Sequence, residues 1–481
     1  MIFLQEGKFK QLWLQGRVRT LDFTQSYRER NAIKQVKLHL DKEIQDMEST
    51  FGEENYIPLH LREVLASILR YEEAWSEAER VEEHILKTRT RTLGLNDEHT
   101  QRSMSKMAST YRDLGKLDEA EGMGRQVLDY RSRILGHDHI DTLTSMADLA
   151  TTWVKKGKFA EAEKMYGQVL RTELRLLGEK HTDTIITMIN LAVTMRRQGK
   201  FQDAEKLNAT AAKMSVESFG PEHTSTLSAL SNLAYTYQSQ GRWDEAGKII
   251  EQVLVARRRI LGPEHPSTLE IMSNMGLNLE HQGKLEEAQK LLDEVLDAQS
   301  RLIGRRHSST LNTISSLASI LAKRGLLNEA LLMEEECMTT SIFVLGEMHP
   351  DTLACMANLA YTYRELNRLD EAEKLQVSVI QSAEKVLGRD HPSTLTFKSN
   401  LAAIYAEQNR LPEAKEYSRE AMESKIRVLG PDHKSTITSM LQLSGVCDKL
   451  GHAEEADEIR KTAASSVKKG GVEMIRALGL G

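Results

Sequence analysis

The chain has 481 residues, with 64 basic and 70 acidic side chains, 40% hydrophobic residues, 5% aromatics and only 8 prolines. That composition excludes an intrinsically disordered chain and disfavours a β-sandwich, a propeller or a proline-rich tether. A net charge of −6 leaves no electrostatic footprint for nucleic acid or an anionic membrane, and three cysteines (Cys337, Cys355, Cys447) are too few and too scattered for a disulfide framework or a closed zinc site.

The N-terminus, MIFLQEGKFKQLWLQG, is interrupted by polar residues too often to form a signal-peptide core, and no window holds about 18 consecutive apolar residues. A cytoplasmic protein is expected, the reducing compartment suiting the few thiols. Residues 1–50 form an N-terminal flank, within which residues 9–50 read as a divergent capping unit. Its second helix is marked by Ile33, Val36, Leu40, Ile44 and Met47 at helical spacing.

From residue 51 the sequence repeats. Glycine recurs every 42 residues at Gly52, Gly94, Gly136, Gly178, Gly220, Gly262, Gly304, Gly346, Gly388 and Gly430. Ten units follow without insertion: 51–92, 93–134, 135–176, 177–218, 219–260, 261–302, 303–344, 345–386, 387–428 and 429–470, with a C-terminal tail at 471–481. Three residues after the anchor glycine stands a histidine in eight consecutive units, from His139 to His433. An amphipathic helix A comes next and stops at a glycine, or at Asn367 and Asn409, the residue types that accept a left-handed turn. Helix B opens two residues later and carries an alanine in every unit, from Ala78 to Ala456, implying close approach of two helix backbones.

The segments NLAYTYQSQGRWDEAGK and NLAYTYRELNRLDEAEK resemble the tetratricopeptide repeat. The 42-residue period and the junctions LGPEHPSTL and LGRDHPSTL are similar to the kinesin light chain subtype and to the repeat arrays of NLR-like signalling proteins of fungi and bacteria. This resemblance implies an all-α, right-handed superhelical solenoid of helix-turn-helix repeats, whose A helices line a concave groove. It implies a scaffold or adaptor that binds a partner peptide or domain. Two alternatives are a kinesin light chain-like cargo adaptor and a sensor subunit of an NTPase complex whose catalytic domain lies on another chain. The flank is too short for the heptad coiled coil that joins such light chains to a motor, and no Gly-Lys pair is followed by the Ser or Thr of a phosphate loop.

One histidine per layer cannot converge on a metal, so the histidines are expected to cap or bridge backbone groups between units. An asparagine ladder, Asn190, Asn232, Asn274, Asn358 and Asn400, is expected to bond amide to amide from unit to unit. Polar residues recur identically, whereas an active site needs one asymmetric cluster, so neither enzyme activity nor a cofactor is expected. Groove candidates are Arg102, Arg112, Lys155, Arg196, Arg197, Tyr235, Tyr361 and Arg364. The first five make the N-terminal half of the groove basic, suiting an acidic extended segment of a protein partner. Self-association through the end units is a further expectation.

Overall fold

The computed structural model describes residues 28–477, and among them it holds 21 helices and no strand. Helix α1 (Arg28–Phe51) precedes ten hairpins. The first five are α2 (Tyr56–Tyr71) with α3 (Trp75–Leu93), α4 (Glu98–Asp113) with α5 (Leu117–Ile134), α6 (Ile140–Lys155) with α7 (Phe159–Leu176), α8 (Thr182–Arg197) with α9 (Phe201–Phe219), and α10 (Thr224–Ser239) with α11 (Trp243–Leu261). The next five are α12 (Pro266–His281) with α13 (Leu285–Leu302), α14 (Ser308–Lys323) with α15 (Leu327–Leu345), α16 (Pro350–Glu365) with α17 (Leu369–Val386), α18 (Pro392–Glu407) with α19 (Leu411–Leu429), and α20 (Lys434–Lys449) with α21 (Ala453–Ala477). Even-numbered helices are the A helices and odd-numbered ones from α3 are the B helices. Helix α21 continues through Gly470 and Gly471 to Ala477, past the boundary the repeat placed at 470. Residues 9–27 of the expected capping unit lie outside the described residues, while α1 packs Leu40 and Ile44 against Leu61, Leu65 and Leu69.

Each hairpin turns where the sequence punctuates it. Gly157 has φ 73° and Asn367 φ 59°, the left-handed conformation that ends an A helix. Glu73 takes the same conformation, φ 55°, in the first hairpin, although its side chain is an unusual one for that region. The B-helix alanines are sealed: Ala78, Ala162, Ala246, Ala330 and Ala414 are all 0% exposed. Cores run from hairpin to hairpin, as where Tyr166 of α7 packs with Leu149 of α6 and Ile185 of α8. Each hairpin therefore completes its burial on its neighbours, the arrangement that makes a solenoid cooperative.

The junction histidines cap helices. The imidazole Nδ1 of His139, His181, His223, His265, His307, His349, His391 and His433 accepts a hydrogen bond of 3.0–3.2 Å from the backbone N–H two residues on. Each thereby satisfies one of the orphan donors of the A helix.

Neighbouring hairpins also share a ladder of ion pairs. The acidic residue after the B-helix alanine meets the basic residue after the turn of the next hairpin: Glu79 with Lys116 (2.5 Å), Glu121 with Lys158 (3.1 Å), Glu163 with Lys200 (2.7 Å), Glu205 with Arg242 (2.8 Å) and Glu373 with Arg410 (2.8 Å). An exposed pair of this kind contributes about 0–1 kcal/mol, so the ladder serves register more than stability. Glu121 is the exception. It accepts from Lys156 (2.6 Å), Arg125 (2.7 Å) and the Trp153 indole (3.0 Å) as well. Burial raises its pKa, but those donors outweigh burial and hold the carboxyl far below the usual carboxylate range.

The array winds far enough to meet itself. His349 donates from Nε2 to the carbonyl of Asp113 (3.1 Å), and His391 donates in the same way to Lys155 (3.2 Å), each across 236 residues. His433 repeats the arrangement at the Arg197 carbonyl. In the first hairpin Glu73 accepts from the Ser308 N–H (2.8 Å) and the Ser308 hydroxyl (2.6 Å). Hairpins seven to ten thus seat the starts of their A helices on the A-helix ends of hairpins one to four, forming a seam between superhelical turns. The contacts join a helix N-terminus to a helix C-terminus, the favourable alignment of two dipoles, and the imidazole satisfies an orphan carbonyl. Glycine allows the approach. A Cβ on Gly115 would lie 2.8 Å from Pro350, one on Gly157 2.8 Å from Pro392, and one on Gly199 2.9 Å from His433. At Gly283, Gly325 and Gly451, outside the seam, it would meet nothing within 4 Å.

Candidate partner-binding groove

A helices of adjacent hairpins touch one another as well as their own B helices, which puts them on the tighter, inner side of the curve. Position along the A helix decides which side chains face that surface. Small residues such as Ser105, Ala147, Ser273 and Ser315 are half-buried there and leave room above the helices.

The candidate basic residues are brought together unevenly. Arg102, one turn into α4, is exposed and pairs with Glu98 (3.4 Å) on its own helix. Arg112 sits at the other end of α4, where it donates to the Asp148 carbonyl of the next A helix (3.3 Å) and to Ser109 Oγ (3.0 Å). Lys155 reaches back to Asp113 (3.4 Å) and to the Arg112 carbonyl (3.4 Å). Arg112 and Lys155 therefore form one linked edge across α4 and α6, from which Arg102 stands apart by almost three helical turns, about 15 Å.

Arg196 and Arg197 end α8. Arg196 donates to Ser239 Oγ (3.3 Å) and lies 6.0 Å from the Tyr235 ring, and no carboxylate pairs with either arginine among the described residues. Burial, and then repulsion from Arg197, pushes the Arg196 guanidinium down to about 10. Tyr235 donates to Asn274 Oδ1 (2.5 Å), and burial raises its phenol. Arg196 beside a fixed tyrosine, with Arg197 next to it in the chain, leaves positive charge here without a carboxylate partner among the described residues.

Further along, Arg364 and Lys323 are compensated. Arg364 stacks over Tyr361 (4.7 Å) and pairs with Glu365 (2.6 Å) and Glu407 (3.5 Å), while Lys323 pairs with Glu280 (2.7 Å). Tyr361 keeps 47% of its surface exposed.

The asparagine ladder takes a different form from the expected one. No amide-to-amide bond joins Asn190, Asn232, Asn274, Asn358 and Asn400 among the described residues. Asn274 accepts from Tyr235, Asn358 donates to Ser315 Oγ of the preceding hairpin (2.9 Å), and Asn232 turns back to the Ser228 carbonyl (3.0 Å). Asn274 and Asn358 thus reach across to the preceding hairpin but meet Tyr235 and Ser315 rather than the equivalent residues Asn232 and Ser316. Asn274→Leu leaves the half-buried Tyr235 hydroxyl without its acceptor and is expected to lower unfolding free energy by about 1 kcal/mol in a denaturant titration; unchanged stability would contradict that role.

Sequence reasoning missed three arrangements. The ion-pair ladder was legible as a recurring acidic residue after the alanine and a basic one after the turn. The seam had no local signal. Cys337 and Cys355, which look scattered in sequence, lie side by side in space with their Sγ atoms 2.9 Å apart. No group of three or more His, Cys, Asp or Glu side chains could hold a metal ion among the described residues, and no described helix is long and apolar enough to cross a membrane.

Stacked hairpins of one length, with an inner face made from equivalent helices, define a repeat solenoid that presents a binding surface. Models of the tetratricopeptide repeat match residues 99–172, 154–217, 268–342, 310–385, 352–425 and 393–465, and a second model of the same description matches 226–267. These matches span well over half the chain, which belongs to the tetratricopeptide repeat family. Among solved structures, the nearly identical TPR-like repeats of a putative kinesin light chain from Podosopora anserina are 28% identical, with 42% of this chain and 97% of that one covered and a TM-score of 0.38. BtubC (BKLC) from P. vanneervenii is 19% identical over 48% of this chain and 92% of that one, with a TM-score of 0.40. No curated protein sequence matches. The repeat family is one of protein-interaction scaffolds, and this chain shares that general role.

Proposed function

We propose that the chain is a cytoplasmic adaptor whose inner face, between α4 and α10, receives an acidic extended segment of a protein partner. The observation that carries this reading is the pair Arg196 and Arg197, which has no carboxylate partner among the described residues, whereas Lys323 and Arg364 further along the inner face are matched. Arg112 and Lys155 continue the same positive edge toward the N-terminus, and a carboxylate docking there would gain charge-assisted hydrogen bonds. Tyr235, rigidly held through Asn274, offers the amphipathic anchor common at binding hot spots.

Charge reversal of Arg112, Arg196 and Arg197 together is expected to weaken capture of a partner at least tenfold in a quantitative pull-down and to remove most of its salt dependence. The same change at Lys323 and Arg364 is expected to leave capture within twofold. Equal capture by the first variant would place the binding surface elsewhere.

A further inference from the structure

Two free thiols meet at the joint between the seventh and eighth hairpins. Cys337 lies on α15 and Cys355 on α16, 18 residues apart in sequence, with Sγ atoms 2.9 Å from each other. A disulfide holds its sulfurs at about 2.04 Å, so a closure of about 0.9 Å separates the pair from a bond. Cys337 is 1% exposed, beneath Leu311 and Ile314, whereas Cys355 is half-buried with Ser341 Oγ 3.6 Å from its sulfur. The sharing of one S–H between them lowers the pKa of Cys355 and raises that of Cys337, the asymmetry of an attacking and a resolving thiol. Cys447, in a separate cluster with Leu443 and Ala456, has no such neighbour among the described residues.

We propose that Cys337 and Cys355 are a site of reversible oxidation, closed to a disulfide by a peroxide, which staples the seventh hairpin to the eighth. The Cys355 thiolate attacks one oxygen of hydrogen peroxide; the O–O bond breaks, an S–O bond forms, and the departing hydroxide takes a proton to leave as water. The Cys337 sulfur then attacks the sulfenic sulfur, the S–O bond breaks as the S–S bond forms, and the expelled hydroxide takes the Cys337 proton as a second water. One peroxide is reduced and two thiols are oxidised, by two electrons in all. A small-molecule dithiol reverses the step. Position gives the staple its consequence. Helix α16 opens at Pro350, whose ring and preceding histidine rest on Gly115 and the Asp113 carbonyl, so a covalent link from α15 to α16 also holds this part of the seam.

The test is peptide mapping of the intact chain after hydrogen peroxide treatment, with alkylation under denaturing conditions. The expected product has lost two hydrogens, joins the Cys337 and Cys355 peptides, leaves Cys447 free to alkylate, and reverts with dithiothreitol. Cys355→Ser should slow loss of the Cys337 thiol at least tenfold, and Cys447→Ser should change nothing. Accumulation of Cys355 as sulfinic acid with Cys337 still reduced, or equal oxidation of all three thiols, would overturn the proposal on the wild-type chain alone.

Discussion

Acidification from pH 7 to pH 4 is expected to remove the stability contributed by the buried junction histidines, in a window above the one in which the ion-paired carboxylates titrate. The capping histidines accept an N–H at Nδ1, a bond that only neutral imidazole can make. In the seam the second nitrogen donates to a carbonyl, which fixes the tautomer. Burial pushes His391 down and His433 down to about 4, with the Lys155 and Arg197 carbonyls opposing the shift in part. Between these values and the unfolded value near 6.5, the unfolded chain binds more protons than the native one, so unfolding free energy falls as pH falls. The contribution is fully present above about pH 6.5 and lost on the way to pH 4. For His433 the shift corresponds to about 3 kcal/mol, which its partial exposure reduces to about 2. Paired carboxylates act lower: Glu63, raised by burial but held at about 2 by His60, Lys106 and Arg89, gives up its contribution only below about pH 4.5. Glu334, which burial raises to about 7, takes up its proton in the native chain first and opposes part of this loss, so urea titrations at pH 7, 5.5 and 4.5 should show a loss on acidification that is larger in the wild-type chain than in His433→Asn, which keeps a capping side chain without the titration. Parallel profiles for the two chains down to pH 4.5 would contradict the neutral cap.

Gly157→Val is expected to destabilise the chain by about 3 kcal/mol, and Gly325→Val by about half of that. Both glycines occupy the left-handed region, with φ 73° and 81°, so a β-branched residue is strained at either by about 1–2 kcal/mol. Only at Gly157 does the new Cβ also press on another superhelical turn, lying 2.8 Å from Pro392 and 3.0 Å from His391. Relieving that overlap requires the turns to part, and overpacking of this kind costs about 1–3 kcal/mol. Hydrogen exchange should report the same difference, with faster exchange at the start of α18 in Gly157→Val and not in Gly325→Val. Equal effects at the two glycines would mean that the seam contributes nothing.

The hairpins were legible because each is a local solution repeated at one spacing. A glycine or asparagine at the turn, a methyl group between helices and an imidazole at the N-cap act within a few residues of where they stand. Helix α16, for example, opens on the His349-Pro350 pair and closes before Asn367 as its sequence says. The seam was not legible, because it is set by small rotations accumulated over more than five hairpins. His181 and His433 follow the same anchor and cap the same kind of helix, yet only His433 rests on another turn. The groove fell between these cases. The basic excess of the first half could be counted, but whether each cation already has a partner depends on side-chain geometry: Arg102 and Lys155 have carboxylates, and Arg196 and Arg197 have none among the described residues. The asparagines and two of the cysteines differ from their spacing in opposite directions, the former not bonded amide to amide as it suggested and Cys337 and Cys355 side by side although it did not.

The seam is the claim on which the shape of the groove rests, and a double-mutant cycle between Glu73 and Ser308 tests it most directly. These residues stand 235 apart in the chain and share two hydrogen bonds across the turns. Glu73→Ala and Ser308→Ala, singly and together, should give a coupling energy of about 1 kcal/mol from the charge-assisted hydroxyl bond. Strict additivity, to within about 0.3 kcal/mol, would mean that the two turns of the superhelix do not touch.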